Sequence, residues 1–535
     1  MMRGQLKYFM VFVLAVSLLF SVIGCGNGAD TVDETGEEGE ETLPEESGEK
    51  IFIIARGTDA KTLDCGYSYH EGEIDLAYHF YDGLVKFKDE TLEIEPALAL
   101  DWSGSEDGLV WTFNLREGVK FHDGTDFNAE AVEFSFMRIL DESHPYYGLG
   151  DQGLAYMDWL LGDAIKEVRA VDDYVVEIEL NDVFGPFMTY MAIYSQYIVS
   201  PTAVAEYGED YFKNPVGTGP FKFVEWKRDE YVTMAAFEDY WGEKPEIDTL
   251  IWKVVPDEST RLMELQSGNV HAIKSISPAQ LETIQNDANL KLLQVAGSNL
   301  FYAAINHKAE PFDDVRVRQA VMHAVDFDSL VDSVYEGLGT RAINPMPPTI
   351  FGFNDGIEPY AYDPEKAKEL LAEAGYPDGF TMDLHVFAES RSYVGRPVDA
   401  AEIFKSDLSQ VGIDANVVVN EWGTHRDLVR NYEHSIGFLG WYDVPHPNNF
   451  LNLMLLRAVN NQYENEELNE LSDKALATFD RSEQEAHYRE MQVISHRDVV
   501  VVPVAHSDYT AVVLKDINGF ELDPLGNVIA RRVSF

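Results

Sequence analysis

Fourteen histidines and two cysteines are the side chains best suited to ligate a metal or attack a substrate, and their spacing builds neither kind of site. A zinc hydrolase helix carries His-Glu-x-x-His so that two imidazoles share one face, and no such stretch occurs. The Gly-x-Ser-x-Gly elbow that exposes a nucleophilic serine is missing too. A phosphate-wrapping loop needs Gly, four residues, then Gly-Lys-Ser/Thr; Gly217-Thr218-Gly219-Pro220 is only a glycine-rich turn. His122-Asp123-Gly124 reads as a turn whose aspartate bonds its own backbone, and His425 and His434 are left to meet other groups in space. Catalysis therefore has no visible carrier, and what remains for this chain is binding through charge and shape.

The elements that would position such a site begin after a leader. Arg3 and Lys7 precede an uncharged apolar run from Tyr8 to Ile23, then Gly24 and Cys25. A cationic start, a short hydrophobic stretch and small residues before a cleavage point compose a secretory signal peptide. The run is sixteen residues long, whereas ~20 span a bilayer comfortably. Val22-Ile23-Gly24-Cys25 resembles the lipobox of bacterial lipoproteins, which implies that residues 1–24 are removed and that membrane lipid is attached to Cys25. The body would then be extracytoplasmic, anchored to the bacterial cell membrane by lipid. Gly26 to Glu49 holds ten acidic and no basic residues, so residues 25–49 read as an acidic, disordered tether.

Across the whole chain, 93 Asp and Glu oppose 40 Lys and Arg, a net charge of −53. Such a surface repels nucleic acid and anionic membrane faces, so neither is a partner. With Cys25 lipidated, Cys65 has no second cysteine to pair with. The remaining length exceeds one usual domain and calls for two or more lobes.

Within that body, Asp363-Pro364 opens a helix pattern through Ala367, Leu370, Leu371 and Ala374 to Gly375. Met382, Leu384 and Val386 alternate as in a strand; Ala401, Phe404, Leu408 and Val411 recur at helical spacing before Gly412; Ile413 to Val419 reads as another strand. Strand, helix, strand in so short a stretch predicts a crossover unit with parallel pairing. Helix patterns also use Leu262 and Leu265, closed by Gly268; Val317, Ala320, Val321 and Ala324; and Leu468, Leu471, Ala475 and Phe479. Leu92 to Leu180 is instead rich in short β-type runs such as Val110 to Leu115 and Val175 to Leu180. The expected class is α/β with a partly β-rich insertion.

Several motifs together carry a resemblance. Phe80-Tyr81-Asp82-Gly83-Leu84, Trp111-Thr112-Phe113 leading to Arg116 through Gly124, Gly217 to Phe221, Tyr240-Trp241-Gly242, Val315 to Ala320 and Tyr362 to Lys368 resemble the extracellular solute-binding proteins (family 5) of peptide ABC transporters. The likeness spans Lys50 to Phe535. Glu421-Trp422-Gly423, Gly440-Trp441 and Asp523-Pro524-Leu525-Gly526 look most like the dipeptide-binding branch.

That resemblance implies a two-lobed, periplasmic-binding-protein-like fold of type II with an extra β-rich subdomain. Lobe I would run over residues 50–300, with the inserted subdomain at about 85–215; lobe II would cover 301–505, and residues 506–535 would return to lobe I. It also implies the site. Asp443 falls where the branch places the carboxylate for a peptide α-ammonium, in a loop one residue shorter than the family's usual form; Arg391 falls at the arginine for the α-carboxylate, and Trp422 at an aromatic lining the cleft. Trp441 is further expected to border the ligand, and the segment Ser68 to Glu71 to border the cleft with His70 facing the ligand. The implied protein is a monomer, not an enzyme, with no cofactor or metal. Its ligand would be a short peptide, and its partner an ABC permease with a separate ATPase.

Elementary physics fits that arrangement. A dipeptide is a zwitterion whose charged ends are costly to desolvate unless each meets an opposite charge. Arginine offers a planar fork to the carboxylate and aspartate accepts from the ammonium. A nickel chelate, an opine or a longer peptide remains open as the ligand, and an extracellular hydrolase or a chaperone-like lipoprotein as a different class.

Overall fold

Helix Pro364–Glu373 forms because its start and its stop are both written locally. The Asp363 carboxylate accepts the Lys366 amide at 2.9 Å, Pro364 occupies the first turn, and Gly375 leaves at φ 99°. It belongs to a computed structural model that describes residues 48–149, 154–442, 444–452, 455 and 460–535. The signal segment, Cys25, most of the acidic tether and Asp443 lie outside the described residues.

The crossover unit follows as its pattern predicts. Strand Phe380–Phe387 buries Met382, Leu384 and Val386, helix Pro397–Ser409 buries Ala401, Phe404 and Leu408, and strand Ile413–Asn420 returns parallel to the first. The register runs from Phe380 opposite Ile413 to Phe387 opposite Asn420. These two strands form one edge of a six-stranded sheet ordered Gly339–Arg341, Val501–Ser507, Asn299–Ile305, Ile436–Tyr442, Phe380–Phe387, Ile413–Asn420.

A seven-stranded sheet is ordered Leu290–Val295, Tyr509–Leu514, Ala272–Lys274, Ile51–Arg56, Thr249–Val254, Tyr231–Ala236, Phe221–Lys227. Its middle is parallel: Ile51–Arg56 pairs in parallel with both Thr249–Val254 and Ala272–Lys274. The chain passes between the large sheets at residues 296–298 and again at Asp508. The two crossings are stitched together, since the Asn299 amide donates to Ser507 O at 2.7 Å and its Oδ1 accepts the Ser507 N–H at 2.9 Å. A Cβ on Gly297 would fall 2.0 Å from Ser507 O, so no larger residue fits where the crossings touch.

The β-type runs noted above assemble into a third, antiparallel sheet ordered Ala99–Gly104, Val110–Leu115, Val175–Leu180, Ile165–Asp172. Helix Ala129–Leu140 buries Val132 and Phe136 against it. One expectation overreached here. The periodicity through Leu468, Leu471 and Ala475 extends to Phe479, but helix Glu466–Leu476 ends earlier. Phe479 instead packs edge-on against Trp111 of the third sheet, ring centres 5.2 Å apart, and the Gly185 N–H donates to Leu476 O at 2.7 Å. Tertiary contact has taken the last apolar residue out of the helical period.

Behind the third sheet, Arg138 and Asp64 form a two-pronged ion pair at 2.6 and 2.8 Å, both side chains 1% exposed. Asp64 also caps the short turn Cys65–Tyr67, in which Cys65 is fully buried and donates its thiol to Tyr197 O. Removing one member of such a pair strands the other charge in the core. Arg138→Ala is therefore expected to lower unfolding free energy by ~3–5 kcal/mol, measured by urea denaturation; a loss under ~1 kcal/mol, the worth of an exposed pair, would show that the buried pair carries little.

Candidate functional site

Several strands of the two large sheets end toward the same space. The chain after Ile51–Arg56 supplies Thr58 and Asp59, after Ala272–Lys274 Ser275 to Ala279, and after Phe380–Phe387 Ser390 to Ser392; all line one cavity of about 640 Å³. Clefts outside the carboxyl ends of parallel strands are where α/β folds take ligands, because side chains from separate loops converge there on a rigid frame. The second crossing, Ser507 to Thr510, and the N-terminal turn of helix Glu71–Phe80 complete the wall.

Arg391 projects from the loop after Phe380–Phe387. That loop is closed by two backbone bonds of 2.9 Å between Arg391 and Val394. The guanidinium carbon sits 4.0 Å from the centre of the Trp422 ring, and Nε is buried without an acceptor. No described carboxylate lies within ion-pair distance of it. Trp422 opens helix Trp422–Arg430; its N–H donates to Glu389 Oε1 at 3.2 Å, and its ring meets Phe387 edge-on at 5.2 Å. Trp422 thus forms the platform under Arg391 rather than part of the cavity wall itself.

His70 lines the cavity and meets Lys61 Nζ at 3.0 Å through Nε2. Burial, with Lys61 and then Arg391 adding repulsion, lowers its pKa to about 4. At neutral pH the ring is uncharged and accepts from the lysine. Its backbone N–H is held by Glu73 Oε2 at 3.0 Å.

Trp441 is placed elsewhere. In strand Ile436–Tyr442 successive side chains face opposite ways, and it is Tyr442 that lines the cavity. Trp441 turns to Trp159, ring centres 6.4 Å apart. The Tyr442 hydroxyl is pushed up to about 12 by burial and then by Glu71, with Arg391 opposing. Glu71, Arg391 and Tyr442 all line the one cavity. Glu71 falls in the segment expected to border the cleft; Tyr442 did not stand out in the sequence, and alternation along the strand was the signal available for it.

The remaining singled-out motifs serve the scaffold. Asp123 accepts the Thr125 N–H and hydroxyl at 2.9 and 2.6 Å, His122 bonds Gly219 O, and His425 bonds Phe438 O. Among the described residues no group of three or more His, Cys, Asp or Glu is arranged to hold a metal ion, and no helix is long and apolar enough to cross a membrane.

Residues 93–462 match the family described as bacterial extracellular solute-binding proteins, family 5. The chain belongs to that family. Family 5 proteins are transport substrate-binding proteins with a two-lobed α/β fold, and the two sheets with the cleft between them are this member's version of it. The chain is 38% identical over 464 residues to heme-binding protein A of Haemophilus influenzae, covering 83% of this chain and 85% of that one. It is 35% identical over 493 residues to the dipeptide-binding protein of Escherichia coli, covering 88% and 91%. A solved dipeptide-binding protein from a Pseudoalteromonas species, in complex with Met-Leu, superposes with a TM-score of 0.78 at 30% identity over 90% of this chain and 99% of that one.

The His70 environment carries a pH signature for this family 5 cleft. An unfolded histidine takes a proton near pH ~6.5, whereas folded His70 resists it to about pH 4. Stability is thus fully present above the unfolded value and falls as pH drops toward the folded one. Thermal melts at pH 7, 5.5 and 4 should show this loss, and it should be smaller in His70→Gln; an identical loss in the variant would contradict the assignment.

Proposed function

We propose that this family 5 protein captures a short peptide outside the cell, most simply a dipeptide, and hands it to an ABC permease driven by a separate ATPase. The observation that carries the reading is Arg391. It is a half-buried guanidinium facing the cleft, stacked on Trp422, with no described carboxylate to neutralise it. A free α-carboxylate matches its fork. Asp443 would hold the α-ammonium one residue beyond Tyr442. An extended dipeptide spans ~7 Å, so anchors at both ends would measure peptide length, while the large cavity leaves room for varied side chains. The name of the Escherichia coli relative and the Met-Leu bound to the Pseudoalteromonas protein support this cargo.

In this reading lobe I comprises residues 50–300 and the return 506–535, lobe II comprises 301–505, and the crossings at 296–298 and Asp508 are the hinge on which the lobes close. Cys25 carries lipid, the acidic segment is the tether, and the protein acts as a monomer without cofactor and without catalysis. The relative named for heme binding raises a second cargo. The walls of this cleft present charges of both signs, which suits a small zwitterion better than a flat, largely apolar ring system.

Calorimetry tests the proposal. Ala-Ala should bind, N-acetyl-Ala-Ala should not, and Arg391→Ala and Asp443→Ala should each weaken Ala-Ala by ~3 kcal/mol or more, since an unpaired charge is left buried. Normal binding by either variant would remove that residue from the site. Heme binding with no peptide binding would replace the cargo.

A further inference from the structure

The surface of the whole chain is strongly acidic, but the cleft has its own charge pattern, set by few groups. On the wall formed by the seven-stranded sheet, Lys274 Nζ lies 2.5 Å from Asp75 Oδ1 and 3.8 Å from Glu71 Oε1. Asp75 is 1% exposed and the Lys274 side chain 10%, so the lysine charge is taken up by the deeper carboxylate. Glu71 is 46% exposed, lines the cavity, and has only a long 3.5 Å contact from the Ser275 hydroxyl besides Lys274. Of the two carboxylates beside Lys274, Glu71 is the more exposed, and it is the one that faces the cleft.

The opposite wall presents Arg391. Tyr442 lines the same cavity as both, and its hydroxyl is pushed up by burial and then by Glu71, with Arg391 opposing. Lys61, the other cation of the near wall without a carboxylate beside it, donates to the His70 ring and is directed there. Among the described residues lining the cleft, Arg391 and Lys61 have no carboxylate within ion-pair distance and Glu258 and Asp508 no cation, so Glu71 is one of several carboxylates that face cargo. If Arg391 and Asp443 hold the two peptide termini, Glu71 is left for a third charge.

We infer that Glu71 is a specificity-determining residue that reads a cationic side chain, so that the cargo this cleft prefers is a short peptide containing lysine or arginine. The inference rests on the peptide-receptor reading above and adds a side-chain class to it. A side-chain ammonium placed between Glu71 and the Tyr442 hydroxyl exchanges water for a carboxylate and a hydroxyl acceptor. An acidic side chain there meets repulsion from Glu71.

Calorimetry with Ala-Ala, Ala-Lys, Lys-Ala and Ala-Glu at neutral pH and low salt decides it. At least one lysine peptide should bind ~10-fold tighter than Ala-Ala, as expected for one extra pair of charges in partly screened surroundings, and Ala-Glu should bind more weakly. Glu71→Gln should abolish the lysine advantage, bringing the ratio of lysine-peptide to Ala-Ala affinity from ~10 to ~1. In the wild-type protein, the same advantage should shrink in ~1 M NaCl, a readout that does not require the variant to fold. Equal binding of all four peptides overturns the inference and leaves the peptide reading intact. Uniform weakening of every peptide in Glu71→Gln also overturns it, making Glu71 the holder of the α-ammonium. Failure of all four to bind wild-type protein removes the peptide reading, and the inference with it.

Discussion

A guanidinium taken partly out of water must be compensated by an anion or by ring faces, and among the described residues Arg391 has a ring face and no carboxylate within ion-pair distance. Its stack on Trp422 recovers part of the lost hydration, while Nε stays buried and unaccepted. Everything around it keeps the side chain in that state. Glu389 holds the Trp422 N–H, Phe387 fixes the indole from the side, and the Arg391–Val394 bonds close the loop. A Cβ at Gly440 would fall 2.0 Å from the Tyr393 ring, so the neighbouring strand can pass under this loop only as glycine. In the proposed receptor that state suits an anionic group of the cargo.

The architecture explains why such a charge can be both buried and reachable. Parallel strands of the two large sheets deliver their following loops to one space, and the crossings at 296–298 and Asp508 bind the sheets together at its edge. Charges on opposite walls belong to different sheets, with Glu71 and Lys274 on one and Arg391 and Tyr442 on the other. A ligand that touches both walls must lower the free energy of the form in which the walls are close. In the proposed function, that is the step by which binding would become a change of shape for a permease to read.

Legibility in the sequence followed the range of the interaction. The helix at Pro364–Glu373 and the parallel pair Phe380–Phe387 and Ile413–Asn420 are set by caps, glycines and periodicity within a few residues, and they appear where the pattern puts them. Phe479 broke its period because its partner, Trp111, is remote in the chain. The expectation for Arg391 came from resemblance, since a lone arginine in a loop has no local signature. Trp441 and Tyr442 illustrate a phase ambiguity: alternation says that only one of them faces the cleft, and the sheet's orientation decides which. For Glu71 the resemblance reached only as far as a place at the cleft border; its charge environment could not be read, because it depends on Lys274 preferring Asp75 across 199 residues of chain.

The most direct measurement is a crystal structure of the protein loaded with Ala-Ala. The account predicts the peptide in the cleft between the two large sheets, its carboxylate ~2.8 Å from the Arg391 guanidinium and its ammonium on the loop that follows Tyr442. A peptide lodged elsewhere, or Arg391 turned from the cargo toward a carboxylate of its own chain, would contradict it.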